Sequence, residues 1–186
     1  YTVPEGYKFI GFLATAGCTT TLEHATDASG YITGITTKVT VSNDLSKGLT
    51  ITADIRKILR VDITMTASAR YRSGIYKGNF NIDKVTLTNG DFYSTDGNNW
   101  KKSDGSSIYS GKNFTLYLLL KEITVSINDI ELGLGLDKKD FYATGSTLNI
   151  TNCIKTSDNH SGKVSVFTFI ITDDSAKISW SGEQKK

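Results

Sequence analysis

The chain has 186 residues, of which 38% are hydrophobic and 22% charged, a composition that can bury a core and does not read as a disordered segment. Lysine and arginine number 21 against 19 aspartates and glutamates, and the net charge of +2 is spread along the chain, which gives no stripe for nucleic acid and no patch for an anionic membrane. No apolar run approaches the roughly 20 residues of a spanning helix, so membrane insertion is not expected.

The opening Tyr1-Thr-Val-Pro-Glu-Gly6 does not set a basic region before an apolar one, so it does not read as a signal peptide. Without an initiator Met, the chain reads as a processed, truncated or partial product. Strands are predicted at 7–14 and 31–37. Apolar and polar residues then alternate over 38–42, 49–53, 61–67, 84–88 and 123–127, and Val61, Ile63, Met65 and Ala67 share one face. A period of two in Thr, Val and Ile marks half-buried strands. In the segment 51–59, Ile51, Ile55, Ile58 and Leu59 also fall on one helical face, with Asp54 as a cap, so a short helix and a strand are both open there. Further strands are predicted at 114–120, 146–151, 163–172 and 176–180. The last two flank Asp173-Asp174-Ser175, which reads as a hairpin turn.

Asn-Gly and Asp-Gly pairs at 89–90, 96–97 and 104–105 punctuate the strands. The stretch 94–112, rich in Gly, Ser, Asn and Asp, is the soft boundary in what otherwise reads as a single all-β domain over 1–186. Asp91-Phe-Tyr-Ser-Thr95 is echoed by Asp140-Phe-Tyr-Ala-Thr144, which fits either two related sheet elements or chance in a Thr-rich chain. Short strands with polar turns and no βαβ alternation predict an antiparallel β-sandwich or jelly-roll-like fold with little or no helix.

Catalytic chemistry finds little support. The two histidines, His24 and His160, sit among polar residues, and their spacing to Cys18 and Cys153 matches neither a nucleophile setting nor a structural zinc pattern. Asp62, Asp91, Asp129, Glu131 and Asp140 are plentiful as carboxylates, but no context selects a pair for glycoside hydrolysis. The Asp-Gly clusters at 95–99 and 103–106 offer oxygen ligands for calcium, and the turn reading outweighs it. No cofactor is expected. Cys18 and Cys153 form either a candidate disulfide or two unpaired, buried thiols.

Surface recognition remains. Trp100 lies beside a turn, and with Tyr93 and Tyr109 it forms the candidate ligand-binding set, aromatics able to stack on a sugar or anchor a protein. Phe9, Phe12, Phe167 and Phe169 read instead as core residues.

The run Val3-Pro-Glu-Gly-Tyr-Lys-Phe9, continuing to Phe12, resembles a segment of bacteriophage tail-appendage and receptor-binding proteins, although Phe12 stands where a Trp is common. In that pattern the run opens a short antiparallel sheet and is followed by a Gly/Thr-rich turn, here 19–25, and an alternating strand, here 48–61. The resemblance covers residues 1–61. It implies a virion component that forms homo-oligomers and binds a host surface, and it transfers no catalytic residue.

The expectation is a non-enzymatic structural or adhesive component of a virion appendage or surface fibre, located on the virion or outside the cell. Its partners would be further copies of itself, other surface proteins or a cell-surface glycan. The alternatives are a carbohydrate-binding module built on Trp100 and a pilin-like subunit that shares strands.

Overall fold

Alternating side chains need a second layer to bury one face, and here two large sheets supply it to each other. The computed structural model describes residues 2–14, 18–41, 48–66, 68–71, 76–119, 122–129, 147–161, 164–181 and 183–185. In chain order the strands are β1 (Tyr7–Ala14), β2 (Cys18–Thr26), β3 (Ile32–Val41), β4 (Ile51–Lys57), β5 (Leu59–Met65) and β6 (Ser68–Tyr71). They continue with β7 (Tyr76–Thr86), β8 (Phe92–Ser94), β9 (Trp100–Lys102), β10 (Tyr109–Gly111), β11 (Asn113–Leu118) and β12 (Glu122–Asp129). The last are β13 (Thr147–Thr151), β14 (Cys153–Ser161), β15 (Val164–Ile171), β16 (Ala176–Ser181) and β17 (Glu183–Lys185). The described residues contain no helix, and the all-β class is as predicted; 51–59 resolves into two strands, β4 and β5. The echo at 140–144 lies outside the described residues.

One sheet runs β13-β16-β5-β11-β8-β9, and the other runs β14-β15-β12-β7-β6-β17 with β10 also on β7. The predicted antiparallel order needs correction at two places, because β16 lies parallel to β5 and β17 parallel to β6. The faces between the sheets form the main core. Val61, Ile63 and Met65 of β5 meet Leu116 and Leu118, Phe167, Phe169 and Ile171, and Ala176, Ile178 and Trp180. Trp180 is fully buried, its ring centroid 5.4 Å from that of Phe167 and 5.9 Å from that of Phe169.

Asp173-Asp174-Ser175 is not a hairpin turn. β15 belongs to one sheet and β16 to the other, so the segment is a corner carrying the chain across the sandwich. The face of β15 with Phe167 and Phe169 and the face of β16 with Trp180 pack against each other; pairing edge to edge would have left both rows without a cover. The β13–β14 connection does the same at Asn152, and both Asn152 and Ser175 have φ of 55°.

β7 holds Ile82 and Val85 both in the core, three residues apart, which strict alternation forbids. A bulge reconciles them: Ser126 faces Lys84 and Ile127 faces Ile82, so Asp83 is the extra residue.

Two ribbons extend from the sandwich, β1 paired with β4 and β2 paired with β3. The segment 19–25, a turn in the phage pattern, lies within strand β2. Cys18, Thr20, Leu22 and His24 share one face of that ribbon with Val41, Val39, Thr37 and Ile35, while Glu23, Thr21, Lys38 and Thr40 face away. β1 bulges at Ile10, which drops into a second core with Phe92, Trp100 and Leu119. Gly11 follows with φ of 138°, and a Cβ there would lie 2.2 Å from Leu22 Cδ2, so the ribbons cross where only glycine fits. Phe12 N donates to Thr37 Oγ1 at 3.0 Å across the same crossing.

The candidate disulfide is not formed. Cys18 is on the β2–β3 ribbon and Cys153 in the sandwich core, and both thiols are free. Burial pushes the Cys153 thiol up, and it donates to Lys177 O at 3.5 Å.

Candidate functional site

The three residues singled out for ligand binding separate in the structure, and strand register is the reason. β8 and β9 pair with Phe92 opposite Lys102, Tyr93 opposite Lys101 and Ser94 opposite Trp100. Residues opposite each other share a face, so Trp100 and Tyr93 point to opposite sides. Trp100 is only 3% exposed, packed with Ile10, Phe92 and Leu119, and cannot serve as a stacking platform. Tyr109 is structural as well. Its ring stacks on Phe114 at 3.9 Å, and its hydroxyl donates to Asn113 O at 2.7 Å.

Tyr93 lines a cleft. With Tyr31, Ser94, Thr95, Asn99, Lys101 and Ile108 it encloses about 110 Å³. Lys101 Nζ sits 4.6 Å from the centre of the Tyr31 ring, a cation–π contact that holds the ammonium in place. Burial pushes the Tyr93 phenol up, with the charge of Asp104 and the neighbouring Tyr31 adding to it, so the hydroxyl keeps its proton at neutral pH.

The rim of the cleft is a rigid loop. The Asp96 carboxylate accepts from Asn98 N at 2.8 Å, from Asn99 N and Asn99 Nδ2 at 2.7 Å each, and from Ser94 Oγ at 3.0 Å. These bonds, led by the Asn99 amide, hold the Asp96 carboxyl far below the usual carboxylate range. The Asp-Gly cluster is thus organised as a turn in which Asp96 takes up the donors of its own loop. Asp104 is likewise lowered, first by the Ser106 hydroxyl and then by its backbone N–H.

A second surface lies on the β1–β4 ribbon. Cross-strand pairs put Phe9 with Ile55, Phe12 with Ala53 and Ala14 with Ile51 on one face, and the edge-on contact of the Phe9 and Phe12 rings at 5.0 Å follows from the bulge between them. None of these side chains is buried. Phe12 is 39% and Ile51 50% exposed, which corrects the expectation that Phe9 and Phe12 belong to a core. Lys8, Arg56 and Asp54 are on the opposite face. Between β1 and β3 a cavity of about 390 Å³ is lined by Tyr7, Phe9, Ile32 and Ile35, among others.

No family model, curated protein or solved structure matches this chain. The function therefore has to be read from these surfaces.

Sequence reading missed Tyr31, Asn99 and Lys101. Lys101 was recoverable in principle, since alternation turns the neighbour of Trp100 to the opposite face. Tyr31 comes from a distant ribbon, and no local pattern joins it to Tyr93.

His24 marks where the β2–β3 ribbon meets the second core. Its ring lies edge-on to Phe92 at 5.1 Å, and Nε2 is buried without a partner among the described residues. Burial, followed by the charge of Lys102, lowers its pKa from the ordinary 6.5. The folded chain therefore takes up this proton less readily than the unfolded one. The stability contributed by the neutral ring is full above about pH 6.5 and is lost as pH falls through the lower folded value. Acidification from about pH 7 to about pH 5 is expected to reduce amide-exchange protection of Ala25 and Ile35 in the wild type and much less in His24→Leu. Equal loss in both would remove His24 as the cause.

Proposed function

We propose that this protein is a non-catalytic structural or adhesive component of a surface fibre or virion appendage, and that copies of it join through the β1–β4 ribbon. The observation that carries the reading is the face with Phe9, Phe12, Ala14, Ile51, Ala53 and Ile55, an apolar run that ends at the Tyr7–Lys57 pair and has no buried member. A continuous apolar face of this kind marks an interaction surface.

A second copy is the fitting occupant. Lys8, Asp54 and Arg56 lie on the other face, so apposing two identical ribbons brings apolar against apolar with no like charges in the middle. The virion setting has a separate support: the Val3–Phe9 run opens a two-stranded antiparallel sheet, the local form that the phage resemblance implies. The carbohydrate-module alternative loses its platform with Trp100 buried.

Size-exclusion chromatography with light scattering on the full chain tests the assembly. A dimer or larger oligomer is expected, falling to the 20.3 kDa monomer in the Phe12→Glu/Ile51→Glu double variant with an unchanged circular dichroism spectrum. A clean monomer for the unsubstituted chain would sink the reading.

A further inference from the structure

Within the adhesive reading, the cleft on the Tyr93–Lys101 face of β8–β9, where Tyr93 and Ile108 pack against the margin of the main core, has the chemistry of a ligand site. Two phenol rings, Tyr31 and Tyr93, stand beside a lysine held in place, an amide and a hydroxyl, with Ile108 contributing apolar surface. A pyranose ring needs this mixture: an apolar C–H face to lie on an aromatic ring, and groups that both give and accept hydrogen bonds around its edge. The Tyr93 hydroxyl, kept protonated by burial, does both. The volume of about 110 Å³ admits part of a single ring and no more.

Charge narrows the class. The Asp96 carboxylate bonds to the lining residues Ser94 and Asn99, and the charge of Asp104 acts on Tyr93, so two carboxylates border a cleft in which Lys101 is the one cation among the described lining residues. An acidic sugar would meet net repulsion. Asp96 also fixes Asn98 and Asn99, and Gly97 closes against Tyr117, where a Cβ would lie 3.3 Å from the ring. The rim is thus ordered before any ligand arrives, which reduces the entropy lost on binding.

We propose that the Tyr31–Tyr93–Lys101 cleft binds the terminal neutral hexopyranose of a glycan. The reading differs from a Trp100 platform in its residues, its face of the hairpin and its preference for an uncharged sugar.

The test is a titration of the ¹⁵N-labelled full chain with methyl glucoside, methyl galactoside and methyl mannoside, with methyl glucuronide as the acidic comparator. At least one neutral glycoside is expected to shift the amides of Tyr31, Tyr93, Thr95, Asn99 and Lys101, saturating at about millimolar concentration. Tyr93→Ala and Lys101→Met are each expected to weaken that binding about tenfold or more. Tyr93→Phe, which retains the ring, should lose less than Tyr93→Ala. The proposal is overturned if no neutral glycoside shifts these amides, if the shifts persist in both variants, or if the glucuronide binds more tightly than the glucoside. Oligomer mass reads the ribbon and not the cleft, so failure of either idea is visible without the other.

Discussion

Trp180→Ala is expected to cost about 3–5 kcal/mol, the largest loss of any single substitution argued from this fold. Trp180 sits on β16 beside Met65 of β5, and Phe167 and Phe169 close over it from the other sheet. Its removal would open a void between the two sheets at a point where both are rigid, so little collapse can fill it. Trp180→Phe should behave differently. The indole Nε1 is buried without an acceptor among the described residues, and an unmet donor costs about 1–3 kcal/mol. Phenylalanine loses packing area and also removes that penalty, so its net cost is expected to be about 1 kcal/mol. Urea unfolding followed by circular dichroism would give both values. A cost of about 3 kcal/mol or more in Trp180→Phe would mean that the indole N–H has a partner after all.

The same stretch shows what was legible in the sequence. Burial follows the predicted alternation in β5, where Val61, Ile63 and Met65 go inward, because a strand with one covered face exposes its period directly. Sheet membership was not legible. A hairpin and a corner carry the same polar turn residues, and Asp173-Asp174-Ser175 became a corner because Phe167, Phe169 and Trp180 needed each other across the core. The phase shift in β7 was hidden for a related reason: the bulge at Asp83 is set by its partner strands, which lie far along the chain.

The candidate site was half legible. The turn at 95–99 and the aromatics around it pointed to the hairpin that carries the cleft. The choice of Trp100 over Lys101 depended on register, and register placed the larger, more apolar ring in the second core. On the ribbon, Phe9 and Phe12 carried the composition of a core. The two-stranded sheet leaves Phe12 and Ile51 exposed and Phe9 only half-buried, so the same hydrophobicity becomes a surface property.

Asn152→Ala is expected to cost about 2 kcal/mol, through two separable effects. Asn152 turns the chain from β13 in one sheet to β14 in the other, with φ of 55°, where an alanine Cβ is strained. It also joins the two corners of the sandwich: its carbonyl accepts from Thr172 N at 2.8 Å, and its Nδ2 donates to Asp174 O at 2.9 Å. Asp174 carries the connection further, its carboxylate accepting from Arg60 N and Ser175 N at 2.8 Å each. Glycine at 152 adopts the left-handed backbone freely but loses the side-chain bond, so Asn152→Gly should fall between wild type and alanine, at about 1 kcal/mol. The order wild type, glycine, alanine in urea midpoints is the expected result, and alanine matching glycine would mean that the backbone conformation contributes nothing. Faster amide exchange at Thr172 and Asp173 should accompany the loss in both variants, since the corner they close is tied to Asn152. The freed corner borders Ile150, 39% exposed on β13, and Ile154, 56% exposed on β14, each on the outermost strand of its sheet. Edges of that kind pair readily with other chains. The proposed ribbon-mediated oligomers would then give way to irregular aggregates in Asn152→Ala, a change that light scattering separates from a clean fall to monomer.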